Sequence, residues 1–174
     1  MRILAVCGSL KSGSSNHRLL RVAAERAPEG VTIVLAESVD QLPHFNPDLE
    51  AEGELDAVAR WRTALRESDA VLIASPEYGH SLPGSLKNAI DWVIGSGELE
   101  RKVVAITAAT PSTDRGRLGL RALAGTLGAV AATIVGGESI ATNASFEENV
   151  AALVRELVAA AERDARERAG DRSR

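Results

Sequence analysis

The 174-residue chain is 45% hydrophobic and 25% charged, which suits a soluble protein whose single core buries roughly 70% of the unfolded surface. Its net charge of -4 excludes the basic field that gathers nucleic acid or anionic lipid, so any anion site has to be local. One cysteine, Cys7, excludes an intrachain disulfide and a thiolate metal cluster, and no apolar run approaches the roughly 20 residues of a membrane span; a cytoplasmic protein without membrane insertion is expected.

The chain enters its first expected strand, Ile3 to Cys7, almost at once, leaving no room for the three regions of a signal peptide. The loop that follows, Gly8-Ser9-Leu10-Lys11-Ser12-Gly13-Ser14-Ser15-Asn16, opens the helical stretch Asn16 to Arg26. A phosphate bound without a metal needs converging N–H and O–H donors, best placed where a helix begins, because its first amides lack partners and its dipole is positive there. Four serines, an asparagine and a lysine within nine positions exceed what helix capping requires. The spacing matches neither the P-loop nor the Gly-x-Gly-x-x-Gly pattern.

A second strand is expected over Thr32 to Leu35, followed by a long connection, Gln41 to Gly53, with two prolines and no clean period. The segment is expected to fold over a neighbour; the alternative is a plain surface loop, on which exposed Leu42 and Phe45 would be unusual. Leu55 to Ser68 reads as a helix and Ala70 to Ala74 as the third strand. In the next loop, Ser75 to Gly84, Pro76 stiffens the turn, and Glu77, Tyr78, Gly79 and His80 lie across the crevice from the serine-rich loop, where they suit a flat ring. Tyr78 is the only tyrosine.

Ser85 to Gly95 is helical, with Leu86, Ala89, Ile90 and Val93 at the spacing of a buried face. Lys87 and Asp91 form an i, i+4 pair. Leu82, Leu86 and Trp92 are candidates for core or subunit contact. A fourth strand, Val103 to Thr107, leads to a loop whose Thr110, Ser112 and Thr113 offer hydroxyls and whose Arg115 and Arg117 offer charge. Leu118 to Leu127 is a helix, Ala131 to Val135 the fifth strand, and Phe146 to about Arg168 the last helix, with a polar tail, 169–174, expected to fray. His17 and His44 have no neighbours with metal-ligand spacing.

Strands that alternate with helices imply right-handed crossovers and a parallel sheet covered on both faces, an α/β doubly wound fold over residues 1–168. Ligands then bind at the carboxyl ends of the strands.

The two loops, with Leu86-Lys87-Asn88-Ala89-Ile90-Asp91-Trp92 after the second, closely resemble the NADPH-dependent FMN reductase family of flavodoxin-like proteins. The family patterns are GSLR-x-x-S-x-N and PEY-N-x-x-x-PG-x-LKNAIDW. Lys11 stands for the usual arginine and Gly79 for the usual asparagine. The resemblance implies a five-stranded sheet of order 2-1-3-4-5 and an FMN site: Ser9, Lys11, Ser14, Ser15 and Asn16 at the phosphate, with Pro76, Glu77, Tyr78, Gly79 and Ser112 about the ring. It implies NADPH or NADH as co-substrate, a small-molecule electron acceptor such as a quinone, free flavin, azo or nitro compound or oxidising metal ion, and a homodimer or homotetramer. Arg115 and Arg117 either attract the extra phosphate of NADPH or are solvated loop charges. His80 is a candidate proton donor because its ordinary pKa lies near neutrality. An electron carrier that never meets nicotinamide, and a family member that has lost its cofactor, are the alternatives.

Overall fold

The computed structural model describes residues 1–53 and 55–171. Five parallel strands, β1 (Arg2–Cys7), β2 (Thr32–Leu35), β3 (Ala70–Ala74), β4 (Val103–Thr110) and β5 (Thr133–Ala141), form one sheet in the order β2-β1-β3-β4-β5. Because side chains alternate across a strand, Ile3 and Ala5 of β1 enter one core while Leu4 and Val6 enter the other. Helices α1 (Ser15–Glu25) and α6 (Phe146–Asp171) cover the first face. The second is covered by α3 (Asp56–Arg66), α4 (Gly84–Asp91) and α5 (Arg117–Ala129). The flavodoxin-like, three-layer doubly wound arrangement is the expected one.

α4 stops at Asp91, short of the expected Gly95, and three elements further along the chain also differ from the sequence reading by more than two residues. β4 runs three residues past Thr107, and β5 starts at Thr133 and continues to Ala141. Gly136 and Gly137 disguise that strand: both have positive φ, and one extra residue enters β5 between the pairs Ile106↔Gly136 and Ala108↔Ser139. This is a β-bulge, the usual role of glycine inside a strand. The third of these elements is α6, which continues to Asp171 through the expected start of the tail; an Arg168 guanidinium nitrogen donates to the Arg101 carbonyl. Residues 172–174 of that tail lie outside the described residues.

The connection after β2 holds a 3-10 turn, Val39–Gln41, and a short helix, α2 (Pro47–Glu52), that the prolines concealed. Asn46 caps α2 by accepting from the Asp48 amide at 2.9 Å, and Pro47 sits where a helix tolerates it. The connection does fold over a neighbour. Asn88 of α4 donates to the Pro43 carbonyl at 2.9 Å and accepts from the Phe45 amide at 2.7 Å, and the Trp92 indole donates to Pro43 at 2.7 Å. Phe45 meets Trp92 edge-on with ring centroids 5.1 Å apart.

Candidate active site

From the centre of the sheet the chain winds outward in two directions, to β2 after β1 and to β4 and β5 after β3. The carboxyl ends of β1 and β3 are therefore the switch point where an open α/β sheet binds ligands. Gly8 sets how closely these ends approach: its amide donates to the Ala74 carbonyl at 2.9 Å. A Cβ on Gly8 would lie 3.1 Å from Leu86 Cδ2 and Ser75 Oγ and 3.3 Å from Ser75 Cα.

In the first loop, Ser9 is buried and its Oγ accepts from the Lys11 amide at 3.3 Å. Ser14 is the cap of α1, its Oγ accepting from the His17 amide at 3.2 Å. Both hydroxyls use acceptor capacity inside the loop; that of Ser9 keeps a hydrogen to donate, while that of Ser14 also meets the Cys7 sulfur. Gly13, at φ 72°, turns the chain into the cap. Among the described residues the Leu10, Ser12 and Gly13 amides have no protein acceptor, and Ser15 begins α1, where amides are unpaired by construction. Lys11 is exposed and forms no ion pair among the described residues. Half-buried Cys7 floors this cradle. Burial pushes its thiol pKa up, against smaller opposing effects of hydrogen bonds with the Ser9 backbone and Ser14 side chain, so the floor carries no thiolate to repel an anion.

The second loop is a two-residue hairpin. Tyr78 and Ser81 exchange backbone hydrogen bonds of 3.0 Å around Gly79 (φ 55°) and His80 (φ 63°), the two consecutive positive values of a type I′ turn. Tyr78 is thereby held 57% exposed beside the crevice. Pro76 precedes the hairpin and is partly buried, and the Glu77 carboxylate faces away toward α5. Its Oε2 accepts from the Gly119 amide at 2.8 Å and its Oε1 lies 3.4 Å from His80 Nδ1. The Gly119 amide, reinforced by the His80 side chain, lowers the Glu77 pKa against a smaller desolvation effect. Glu77 thus caps α5, and only its main chain faces the crevice side.

The third loop follows β4. The Ser112 carbonyl accepts from Thr110 Oγ1 at 2.7 Å and from the Arg115 amide at 3.2 Å, while Ser112 itself, Arg115 and Arg117 are exposed. Buried Ser139 on β5 donates to the Arg115 carbonyl at 2.5 Å. Gly116, at φ 85°, passes so near that a Cβ there would be 2.8 Å from Ser139 Oγ. Asn16, 4% exposed, accepts through Oδ1 from the Ala109 amide at 2.9 Å. The three loops share one end of the sheet and are pinned by three side chains, Asn16, Glu77 and Ser139, each of which bonds the backbone of another element.

The profile of the NADPH-dependent FMN reductase family matches residues 1–161. The chain belongs to that family. It is 45% identical over 92 residues to an NAD(P)H-dependent FMN reductase of Pseudomonas aeruginosa, a match covering 53% of this chain and 49% of that protein. It is 43% identical over 95 residues to an NAD(P)H:quinone oxidoreductase of Solanum tuberosum, covering 53% and 49%. In these matches the chain spans about half the length of the curated relatives. Among solved structures, FerB, a flavoenzyme NAD(P)H:(acceptor) oxidoreductase from Paracoccus denitrificans, superposes with a TM-score of 0.82 at 27% identity, over 94% of this chain and 98% of that one.

The residues present fit the FMN that this family takes. Unpaired amides and free hydroxyl hydrogens at the start of α1 suit a phosphate, and the pinned hairpin leaves one tyrosine and main-chain groups for a ring. Both departures from the family patterns have physical readings. Gly79 stands at a positive φ of 55°, a region that glycine and asparagine both tolerate better than other residues. Lys11 keeps a cation but loses the guanidinium fork.

Other expectations change. Leu86 and Trp92 are each only 1% exposed and pack inside the chain, so neither is available for a subunit contact; Leu82 is partly buried against the same core. Lys87 and Asp91 do pair, at 2.5 Å. Sequence reasoning missed Gly119, Ser139 and the inward role of the Asn16 oxygen. No local pattern marks a glycine whose need for space comes from a residue 42 positions away.

Proposed function

We propose that this chain is an NAD(P)H-dependent FMN reductase. When bound, FMN supplies the redox centre, accepting hydride from NADPH or NADH at N5 and delivering electrons to a quinone, free flavin, azo or nitro compound, or oxidising metal ion. The protein's part is to bind and orient. Ser9, Ser14, Ser15, Lys11 and the amides of the first loop hold the phosphate; the Tyr78 hairpin walls the ring; Ser112 and the third loop border its edge. Exposed Arg115 and Arg117 offer charge for the 2′-phosphate of NADPH. No side chain is required as acid or base, and His80, 80% exposed on its side chain, serves the hairpin through Glu77. Cytoplasmic location and a homodimer or homotetramer belong to the same reading; no helix among the described residues is long and apolar enough to cross a membrane.

The observation that carries the reading is the set of unpaired donors around a neutral floor at the switch point, facing a hairpin with one exposed tyrosine. Titrating the purified protein with FMN is expected to give saturable quenching of flavin fluorescence, and anaerobic NADPH is then expected to bleach the bound flavin. Absence of saturable binding refutes the flavin site. Binding without bleaching by either nicotinamide reassigns the chain as an electron carrier.

A further inference from the structure

β4 outruns β3. The two pair as far as Ala74↔Thr107, where the Ser75 amide donates to the Thr107 carbonyl at 2.9 Å, while β4 continues to Thr110 beside β5. Backbone groups two residues apart on a strand aim to the same side, so the Ala109 N–H points where a longer β3 would lie. Asn16 fills that place, its buried Oδ1 accepting from Ala109 at 2.9 Å. Only the oxygen of a carboxamide can meet an N–H, which leaves the donor end, Nδ2, turned from β4 and without an acceptor among the described residues. Asn16 is also the second residue of α1, directly behind the Ser14 cap of the anion loop. One 96%-buried side chain thus joins the anion side of the crevice to the strand that leads into the third loop.

We propose that Asn16 is a positioning residue that couples the two sides of the site. An anion held at the start of α1 fixes the amide group, and through Oδ1 the amide fixes the end of β4 and the loop Thr110 to Gly116. The coupling is reciprocal: a ring seated against the third loop holds Asn16 in place for the phosphate. The inference rests on the FMN reading for its ligand, but the bond it concerns lies within the chain.

The test separates the two ends. In flavin-free protein, with inorganic phosphate as the anion and Ala109 amide exchange by NMR as the readout, saturating phosphate is expected to slow exchange about fivefold or more, the lower end of ordinary coupling between sites. In Asn16→Ala, exchange at Ala109 is faster and phosphate no longer affects it. Asn16→Asp keeps an acceptor for Ala109 but replaces the donor with a negative charge, so exchange without phosphate stays as in the wild type and the phosphate effect is lost. FMN affinity of Asn16→Asp falls about tenfold to a hundredfold, the worth of a hydrogen bond to a charged group. Riboflavin, the same ring without the phosphate, binds Asn16→Asp like the wild type and Asn16→Ala more weakly. A wild-type Ala109 amide indifferent to phosphate, or Asn16→Ala with wild-type riboflavin affinity, overturns the proposal. If the wild type binds phosphate with the expected slowing but no FMN, the coupling stands and the functional reading falls.

Discussion

Gly119 decides how the ring-side hairpin sits, and replacing it by alanine isolates that contact. A Cβ there would lie 2.9 Å from Glu77 Cβ, 3.0 Å from its Cα and 3.1 Å from its Cγ. These atoms cannot swing aside, because the Glu77 carboxylate is itself held on the Gly119 amide at 2.8 Å. In a helix, alanine ordinarily gains about 0.5–1 kcal/mol over glycine, whereas overpacking at a contact this close costs about 1–3 kcal/mol. Gly125 is the control, since it lies in the same helix and a Cβ on it meets nothing within 4 Å. Gly125→Ala is expected to raise the melting temperature and Gly119→Ala to lower it. Helix propensity largely cancels between the two, so their difference reports the contact: about 1–3 kcal/mol, or roughly 2–12 °C for a chain of this size. Gly119→Ala also weakens FMN binding by displacing the hairpin, while Gly125→Ala leaves it unchanged. A melting temperature for Gly119→Ala equal to or above that of Gly125→Ala would refute the reasoning.

Acid should expose the Glu77 cap. Its folded carboxyl pKa is depressed, so its contribution to stability is present above the ordinary carboxylate value and is lost as pH falls through the depressed one. Glu77→Gln is therefore expected to show a shallower acid loss than the wild type in urea titrations; superimposable pH profiles would count against the cap. The hairpin places His80 at φ 63°, a region costly for a residue with a Cβ, and the pair Asn-Gly suits a type I′ turn best. Combining Gly79→Asn with His80→Gly should stabilise the chain by about 1 kcal/mol, visible as a melting temperature raised by about 2–4 °C; no rise would argue against the turn assignment. Lys11→Arg restores a fork that meets two phosphate oxygens and should tighten FMN by about 0.5–1.5 kcal/mol in fluorescence titrations, an effect absent if Lys11 does not face the phosphate.

The sheet was legible because its signal is local and redundant. Runs such as Val71-Leu72-Ile73 are buried on both faces, and only a central parallel strand asks for that. The loops were legible as well, since glycines and serines clustered after a strand have few structural uses. What stayed hidden depended on partners distant in sequence. Gly136-Gly137 reads as a strand end, and only the pairing with Ile106 and Ala108 reveals a bulge that lets β5 run on. Asn46-Pro47-Asp48 carried a helix-start signal, but the surrounding prolines masked a helix of six residues. Trp92 reads equally as core or interface, and the Pro43 carbonyl that receives its indole N–H decides for core.

The pinning of the loops explains why this chain tolerates departures at Lys11 and Gly79. Lys11 is exposed, and a Cβ on Gly79 would meet nothing within 4 Å, so exchange there alters a ligand contact or a turn preference and leaves the scaffold unmoved. Asn16, Glu77 and Ser139 differ in kind. Each bonds a backbone group of another element, at Ala109, Gly119 and Arg115, and together they tie the three loops to one another. A site assembled from main-chain donors has no rotamers with which to correct a misplaced loop, so its precision lies in the residues that hold the backbone. Substitutions at these three positions should therefore change flavin affinity more than substitutions at exposed positions proposed to border the flavin, such as Ser15 or Ser112.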